Sequence, residues 1–112
     1  MIDVKVNQVK DVVIIDLIGE FDLDTINRVE EQWQQVLEKQ PKVIGINCQK
    51  LKFIDSSAIG TLVKFLNSAM SKGIELVFYD LNKQISAIFK TARLDNFFTI
   101  TTREEFEKKY LH

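Results

Sequence analysis

The chain has 112 residues, of which 46% are hydrophobic and 28% charged, a composition typical of one folded domain and not of a disordered chain. Its 15 basic and 16 acidic side chains leave a net charge of −1, so we expect no binding to nucleic acid. The single cysteine, Cys48, and the single histidine, His112, exclude an internal disulfide and a cysteine zinc cluster, and they disfavour a catalytic Ser/His or Cys/His pair.

The sequence also bears on membrane insertion, export and the number of domains. No apolar run is long enough to span a membrane, and the amino-terminal residues lack the hydrophobic core of a signal peptide. We therefore expect a soluble cytoplasmic protein with no membrane insertion, no metal and no cofactor. The absence of linkers and repeats predicts a single domain over residues 1–112. Cys48 lies in an apolar run and is expected to be a buried, inert thiol.

The first half of the chain predicts three strands and one helix, in the order β-β-α-β. Residues 2–9 alternate apolar and polar side chains, as a half-exposed strand does, and Lys10–Asp11 then offers a hairpin turn. The nearly continuous β-branched run of residues 12–18 predicts a strand buried on both faces. Apolar residues at helical spacing predict a helix over residues 25–40, which Asp24 or Thr25 would cap, and residues 42–48 predict the next strand.

The second half predicts three more helices. A polar stretch at residues 49–52 is interpreted as a connection to a second helix, which Gly73 ends. Residues 74–79 predict a strand, Asn82 would open the third helix, and Thr102–Glu105 fits a capping box before the last one. Six residues are predicted to share the buried face of the second helix: Ile59, Leu62, Val63, Leu66, Ala69 and Met70.

This order of elements predicts an α/β fold, with a single small mixed sheet of four to five strands packed with four helices. A helix between two buried strands is the crossover that parallel strands need, whereas the hairpin makes the first pair antiparallel. The fifth strand depends on the short segment at residues 98–101.

The segment with the most chemical information is Asp55-Ser56-Ser57, just before the second helix. Its structural interpretation is an N-cap, because aspartate and serine oxygens accept the free amides of a first turn. One cap needs only one residue, so at least one serine is expected to be spare, exposed and placed over the positive end of the helix dipole. A phosphate there would meet unpaired amides, so the spacing permits a phosphorylation switch.

The longer segment Asp55-Ser56-Ser57-Ala58-Ile59-Gly60 resembles the Asp-Ser-Ser/Thr-Gly-Leu-Gly signature of STAS domains, and most closely that of the stand-alone bacterial anti-sigma factor antagonists. Gly19-Glu20-Phe21-Asp22 is similar to the family's Gly-Glu-hydrophobe-Asp turn after the second strand. Residues 92–98 are similar to its Gly-Leu-Asp-Lys-hydrophobe-Phe segment. The three motifs stand in family order, and the resemblance covers nearly the whole chain.

The resemblance implies a regulatory binding protein, not an enzyme, whose partners are an anti-sigma factor serine kinase and a serine phosphatase. Unphosphorylated family members bind the kinase and so release a sigma factor, and phosphorylation with ATP ends that binding. By position in the motif the phosphorylated residue would be Ser57, with Ser56 as the alternative. Asp55 would cap the helix and add local negative charge, and Asp22 would lie near the acceptor at the partner-facing end.

Further residues of the second helix are expected at the partner surface. On a helical wheel Ala58, Thr61 and Phe65 lie at the edge of the buried stripe. If Phe65 is exposed beside Ser57, it would anchor the partner, and Phe65→Ala would weaken binding more than folding. Ala58 stands where the family has glycine. Alanine favours the helical conformation by about 1 kcal/mol relative to glycine, so we expect a stiffer first turn. Its methyl group is also expected to narrow the approach of a kinase to Ser57.

Two other functions stay open. A STAS subunit of a larger assembly, such as a stress-signalling complex or a lipid-transport ATPase, would not need phosphorylation, and the departure at Ala58 keeps this alternative open. A small enzyme that uses Asp55 and Ser57 is disfavoured, because no histidine, lysine or second acid is placed to activate the serine.

Overall fold

The computed structural model describes all residues, 1–112. The strands are β1 (Ile2–Val9), β2 (Val12–Phe21), β3 (Val43–Asn47), β4 (Leu51–Ile54), β5 (Glu75–Tyr79) and β6 (Thr99–Thr101). The helices are α1 (Ile26–Glu38), α2 (Ser56–Ser71), α3 (Lys83–Thr91) and α4 (Arg103–Tyr110), with a short 3-10 helix at Leu94–Asn96.

All six strands belong to one sheet, in the order β1-β2-β3-β5-β6, with β4 paired to the far end of β2. Strands β1 and β2 are antiparallel and joined by the hairpin turn at Lys10–Asp11, where Lys10 has a φ of 55°. Every other pairing is parallel. The predicted α/β class, mixed sheet and four helices are confirmed, and the sheet has one strand more than the upper prediction.

The additional strand is β4, which the sequence pattern does not predict. Leu51 and Ile54 are buried whereas Lys52 and Phe53 between them are exposed, so the four residues neither alternate nor form an apolar run. The strand is defined by its pairing with β2 at residues 19–21, across a shift in register. That pairing is a tertiary contact, which local patterning does not encode.

The sheet separates two apolar clusters of unequal size. The larger, of 25 buried residues, lies between the sheet and helices α1, α2 and α3, whereas the smaller, of 5, includes Phe106 of α4. Phe106 stacks on Tyr79 with a centroid distance of 4.3 Å. Glycine is required at position 45, because a Cβ there would lie 2.4 Å from the Phe106 ring. Helix α4 covers only part of its face, since the outward residues of β1 stay exposed.

The buried face of α2 differs from the predicted one. Val63 and Met70 are exposed, which makes their predicted burial wrong. The buried residues of the helix are Ala58, Thr61, Leu62, Phe65 and Ala69. Because α2 is apolar on most of its circumference, periodicity alone does not select the face, and the stacking of Phe65 on Trp33 of α1 does so instead.

The helix caps confirm two predictions and correct a third. Asn82 caps α3 through the Ile85 amide at 3.0 Å, and the capping box of Thr102 and Glu105 is complete in α4. Thr25 stands before α1, but its hydroxyl does not cap that helix, so the predicted side-chain cap is wrong. That hydroxyl instead accepts the Asp22 amide at 2.9 Å, which folds the loop before the helix back on itself.

Candidate functional site

Asp55 connects strand β4 to helix α2 and caps the helix. Its backbone is extended, with φ −97° and ψ −179°, and its Oδ1 accepts a hydrogen bond from the Ala58 amide at 2.9 Å. The Ile59 amide donates to the Asp55 carbonyl at 3.0 Å and closes the first turn. One carboxylate therefore does the capping for which the sequence presents three candidate side chains.

Ser56 and Ser57 are the first two residues of α2, and neither hydroxyl makes a hydrogen bond within the protein. Ser56 is exposed and Ser57 is half-buried. The Thr61 hydroxyl donates to the Ser57 carbonyl at 3.1 Å, so only the backbone of Ser57 is used. The first amides of a helix have no partner inside it, and the helix dipole favours negative charge at this end. The site therefore combines spare hydroxyl groups with a local preference for an anion.

A second segment, the loop between β2 and α1, is held against this helix end by Asp55. The Oδ2 of Asp55 accepts the Leu23 amide at 3.0 Å, and the Asp55 amide donates to the Phe21 carbonyl at 3.2 Å. Within the loop, Oδ1 of Asp22 accepts the Asp24 amide at 3.0 Å. The structure thus brings the turn that contains Asp22 to the start of α2, 32 residues further along the chain.

The joined segments are acidic and carry no compensating cation. Asp22, Asp24 and Asp55 take part in none of the five ion pairs of the protein. The carboxylates of Asp22 and Asp55 instead accept backbone amides, which orders the loop without neutralising its charge. A further negative group placed here would be stabilised by the helix end and, at the same time, repelled by these carboxylates.

Leu23 is an exposed apolar residue of this loop, and the sequence did not predict it as a candidate. Its side chain is 72% exposed although its amide is fixed by Asp55. A large apolar residue between two aspartates, directly after a turn that resembles a family motif, is the pattern that could have identified it. An apolar group held rigidly at a helix end is well suited to contact a partner protein.

Three residues predicted at the partner surface are buried instead. Ala58, Thr61 and Phe65 are 0%, 5% and 4% exposed, and all three face the core. The Phe65 ring stacks on Trp33 with a centroid distance of 4.3 Å and an interplanar angle of 9°. The exposure on which the role of Phe65 as an anchor depended is therefore absent, and Phe65→Ala is expected to affect folding more than binding.

The same burial corrects the expectation for Ala58. Its methyl group points into the core, so it does not narrow the approach of a kinase to Ser57. What remains of that expectation is the effect on the backbone, since alanine favours the helical conformation of the first turn more than glycine does.

Cys48 is buried as predicted, and burial, together with the charge of Asp80, raises the pKa of its thiol to about 12. A thiol in that state is protonated and inert at neutral pH. No group of histidine, cysteine and acidic side chains is arranged to hold a metal ion, and no helix is both long and apolar enough to cross a bilayer.

Comparison with known proteins places this geometry in context. The sequence pattern of the STAS domain family matches residues 3–107. The structure of TM1081 from Thermotoga maritima superimposes with a TM-score of 0.85 at 22% identity, covering 95% of this chain and 92% of that one. An anti-sigma factor antagonist from Mycobacterium paratuberculosis gives a TM-score of 0.80 at 19% identity, covering 94% and 90%.

A third comparison involves SpoIIAA, an anti-sigma factor antagonist. The phosphorylated form of the Bacillus protein matches with a TM-score of 0.72 at 17% identity, covering 96% of this chain and 98% of that one. A structure of the unphosphorylated form gives the same TM-score, 0.72. These identities are low, so the similarity concerns the fold. The family match, by contrast, spans almost the whole sequence and includes all three motifs noted above. The chain therefore belongs to the STAS domain family.

Proposed function

We propose that this protein is an anti-sigma factor antagonist, which binds an anti-sigma factor serine kinase when unphosphorylated and loses that binding when Ser57 is phosphorylated. A serine phosphatase would restore the binding form. The observation that carries the proposal is that Asp55 alone caps α2, which leaves the Ser57 hydroxyl unbonded at the helix end. The fold similarity to SpoIIAA, which has been solved in a phosphorylated form, supports it.

The partner surface, in this proposal, consists of the start of α2 and the loop that Asp55 holds against it. Its members are Asp22, Leu23, Asp55, Ser56 and Ser57. Leu23 supplies an exposed apolar side chain, and the aspartates surround it with uncompensated charge. A partner with an apolar pocket that receives Leu23 would match this surface.

Phosphorylation would end binding through local charge and desolvation. A phosphate adds about −1.5 to −2 charges at neutral pH. Next to Asp55, and beside the loop that carries Asp22 and Asp24, this charge would concentrate negative charge on the surface, and the concentrated charge would be costly to desolvate in an interface. A loss of about 3 kcal/mol lowers the affinity by roughly a hundredfold, which is enough for a switch.

No rearrangement of the fold is needed for this effect. The free amides of the first turn and the helix dipole would stabilise a phosphate on Ser57, so α2 would keep its helical start. The phosphorylated and the unphosphorylated SpoIIAA structures each share the fold of this chain, with a TM-score of 0.72, which supports a switch that keeps the overall fold.

The proposal is tested by incubating the protein with ATP and a cytosolic extract of its source organism, followed by intact-mass analysis and site mapping. We expect one added phosphate on the wild type and on Ser56→Ala, and none on Ser57→Ala. Nitrogen-15 spectra of the phosphorylated protein should retain helical shifts from Ser57 onward.

Each other outcome contradicts a defined part of the proposal. Phosphate lost from Ser56→Ala but kept on Ser57→Ala would move the acceptor to Ser56. A stable complex of unmodified protein with an ATPase or a scaffold would select the larger-assembly function. A first turn that melts on phosphorylation would refute the electrostatic mechanism.

A further inference from the structure

A row of polar residues crosses the sheet from edge to edge on the face where α4 packs. The register pairs Lys5 with Asp16, Asp16 with Asn47, Asn47 with Tyr79, and Tyr79 with Thr101. Directly paired residues project from the same face of a sheet. Asp16 interrupts the apolar run of β2, in which aspartate is disfavoured. An aspartate at this position of β2 is unfavourable for the strand, so it requires a structural or functional reason.

The two ends of this row differ in their surroundings. Helix α4 covers one end, where Phe106 stacks on Tyr79 and the Arg103 guanidinium lies 5.5 Å from the centre of the Tyr79 ring. At the other end no helix packs above Asp16 and Asn47, which are half-buried. The polar row is therefore structural under α4 and open to solvent beyond it.

The open end contains a pocket where β2 changes its neighbouring strand. Strand β3 ends at Asn47, and β4 pairs with β2 only from Gly19 onward. The connection between β3 and β4 passes over the gap. It is held by two hydrogen bonds, one from the Gly19 amide to the Lys50 carbonyl at 3.0 Å and one from the Gln49 amide to Asn47 Oδ1 at 3.1 Å. The cavity measures about 110 Å³, the space of about three or four water molecules. Ligand sites of α/β proteins are common at such changes of strand order.

The side-chain amides that line the pocket form hydrogen bonds within the protein, whereas its charged side chains form no ion pairs. Asn47 Nδ2 donates to Asp16 Oδ1 at 3.0 Å, and Gln49 Oε1 accepts Arg103 at 3.2 Å. Asp16 Oδ2 has no partner, and neither Lys5 nor Lys50 forms an ion pair with Asp16 or with any other acid. The walls are thus held in place while one negative and two positive groups line the same cavity unpaired.

We propose that this pocket binds a small α-amino acid, with the ligand ammonium group on Asp16 Oδ2 and its carboxylate between Lys5 and Lys50. A simple anion would satisfy the lysines but would face the Asp16 carboxylate, and a simple cation would face the lysines. A zwitterion pairs both charges at once. The pocket, which is open to solvent, has room for a ligand of the size of glycine, alanine or serine. The site is separate from the proposed phosphorylation site and does not depend on it.

The test is a titration of nitrogen-15-labelled protein with L-alanine, with lactate and propylamine as probes that each lack one of its two charged groups. We expect saturable shifts at the amides of Asp16, Asn47 and Lys50, with alanine binding about tenfold more tightly than either probe. Asp16→Asn, which keeps the side-chain shape and the bond from Asn47, should weaken alanine binding about tenfold. Lys10→Gln, in the hairpin turn outside the pocket, is the matched control and should leave it unchanged.

Three results would overturn the proposal. The absence of saturable shifts with all three probes would show that Asp16 and Asn47 only fix the register of the strands. Equal binding of lactate and alanine would exclude a role for Asp16, and an unchanged affinity in a folded Asp16→Asn variant would do the same. Binding of inorganic phosphate in preference to alanine would replace the amino acid by an anion held by the lysines alone.

Discussion

The two parts of helix α2 contact the rest of the molecule in opposite ways. In its first turn, the Ser56 and Ser57 hydroxyls make no internal bond, and a single carboxylate, Asp55, orders the helix end. Two turns later, Phe65 is almost fully buried and stacked on Trp33. The same helix thus combines a start with unused polar groups and a middle that belongs to the core.

This contrast shows how residues that are available to a partner can be distinguished, within one helix, from residues that stabilise the fold. A residue whose bonding capacity is spent inside the protein contributes to folding, whereas an ordered residue with spare capacity is available to a partner. Spacing on a helical wheel does not distinguish the two, as Phe65 illustrates. The contacts of each side chain do, and variants of the two regions should separate in the same way.

Phe65→Ala is expected to have the largest effect on stability. Removing a stacked, buried ring leaves a cavity next to Trp33, so the free energy of unfolding should fall by about 3–5 kcal/mol. Urea denaturation followed by Trp33 fluorescence measures it directly. Phe97→Ala, at a phenylalanine that is 69% exposed, is the matched control and should change stability by less than about 0.5 kcal/mol. A fully stable Phe65→Ala protein that no longer binds its partner would contradict this prediction, because it would assign Phe65 to partner binding and not to folding.

Much of the fold could be predicted because its elements have strong local patterns. The alternation in β1, the β-branched run of β2 and the capping box at Thr102 each identify an element and its orientation. Strand β4 could not be predicted, since it has only four residues and its pairing with β2 is interrupted by a register shift between Gly19 and Glu20. Local patterns identify elements, but they do not specify which distant element completes a short one.

The candidate site shows the same division. Asp55, Ser56 and Ser57 are contiguous, so their shared position at a helix start could be predicted from sequence. The bond from the Leu23 amide to Asp55 joins residues 32 positions apart, and no local pattern encodes it. The buried face of α2 could not be selected either, because apolar residues surround most of the helix and the position of Trp33 decides between them.

Asp55→Ala should have an intermediate effect and should act on two segments at once. It removes the cap on Ala58 and the acceptor of the Leu23 amide, for a combined loss of about 2 kcal/mol in the free energy of unfolding. Hydrogen exchange should accelerate at both amides. Thr102→Ala, which removes the cap of α4 but no bond to another segment, should cost about 1 kcal/mol. Equal losses in the two variants would mean that Asp55 does not stabilise the loop before α1.

The smallest expected effects concern two positions in the first turns of α2. Substitutions at these positions should change the free energy of unfolding in opposite directions, so each serves as the control for the other. Ala58→Gly restores the residue usual in the family, but it adds freedom to the unfolded chain and removes a buried methyl group, so it should lower the free energy of unfolding by about 1–2 kcal/mol. Gly60→Ala should raise it by about 0.5–1 kcal/mol, because a Cβ at this exposed helical position meets no atom within 4 Å. Thermal denaturation of both variants measures the difference. If Ala58→Gly is neutral while Gly60→Ala stabilises, the first turn is held by Asp55 and not by helix propensity, and the stiffness assigned to Ala58 has no part in the switch.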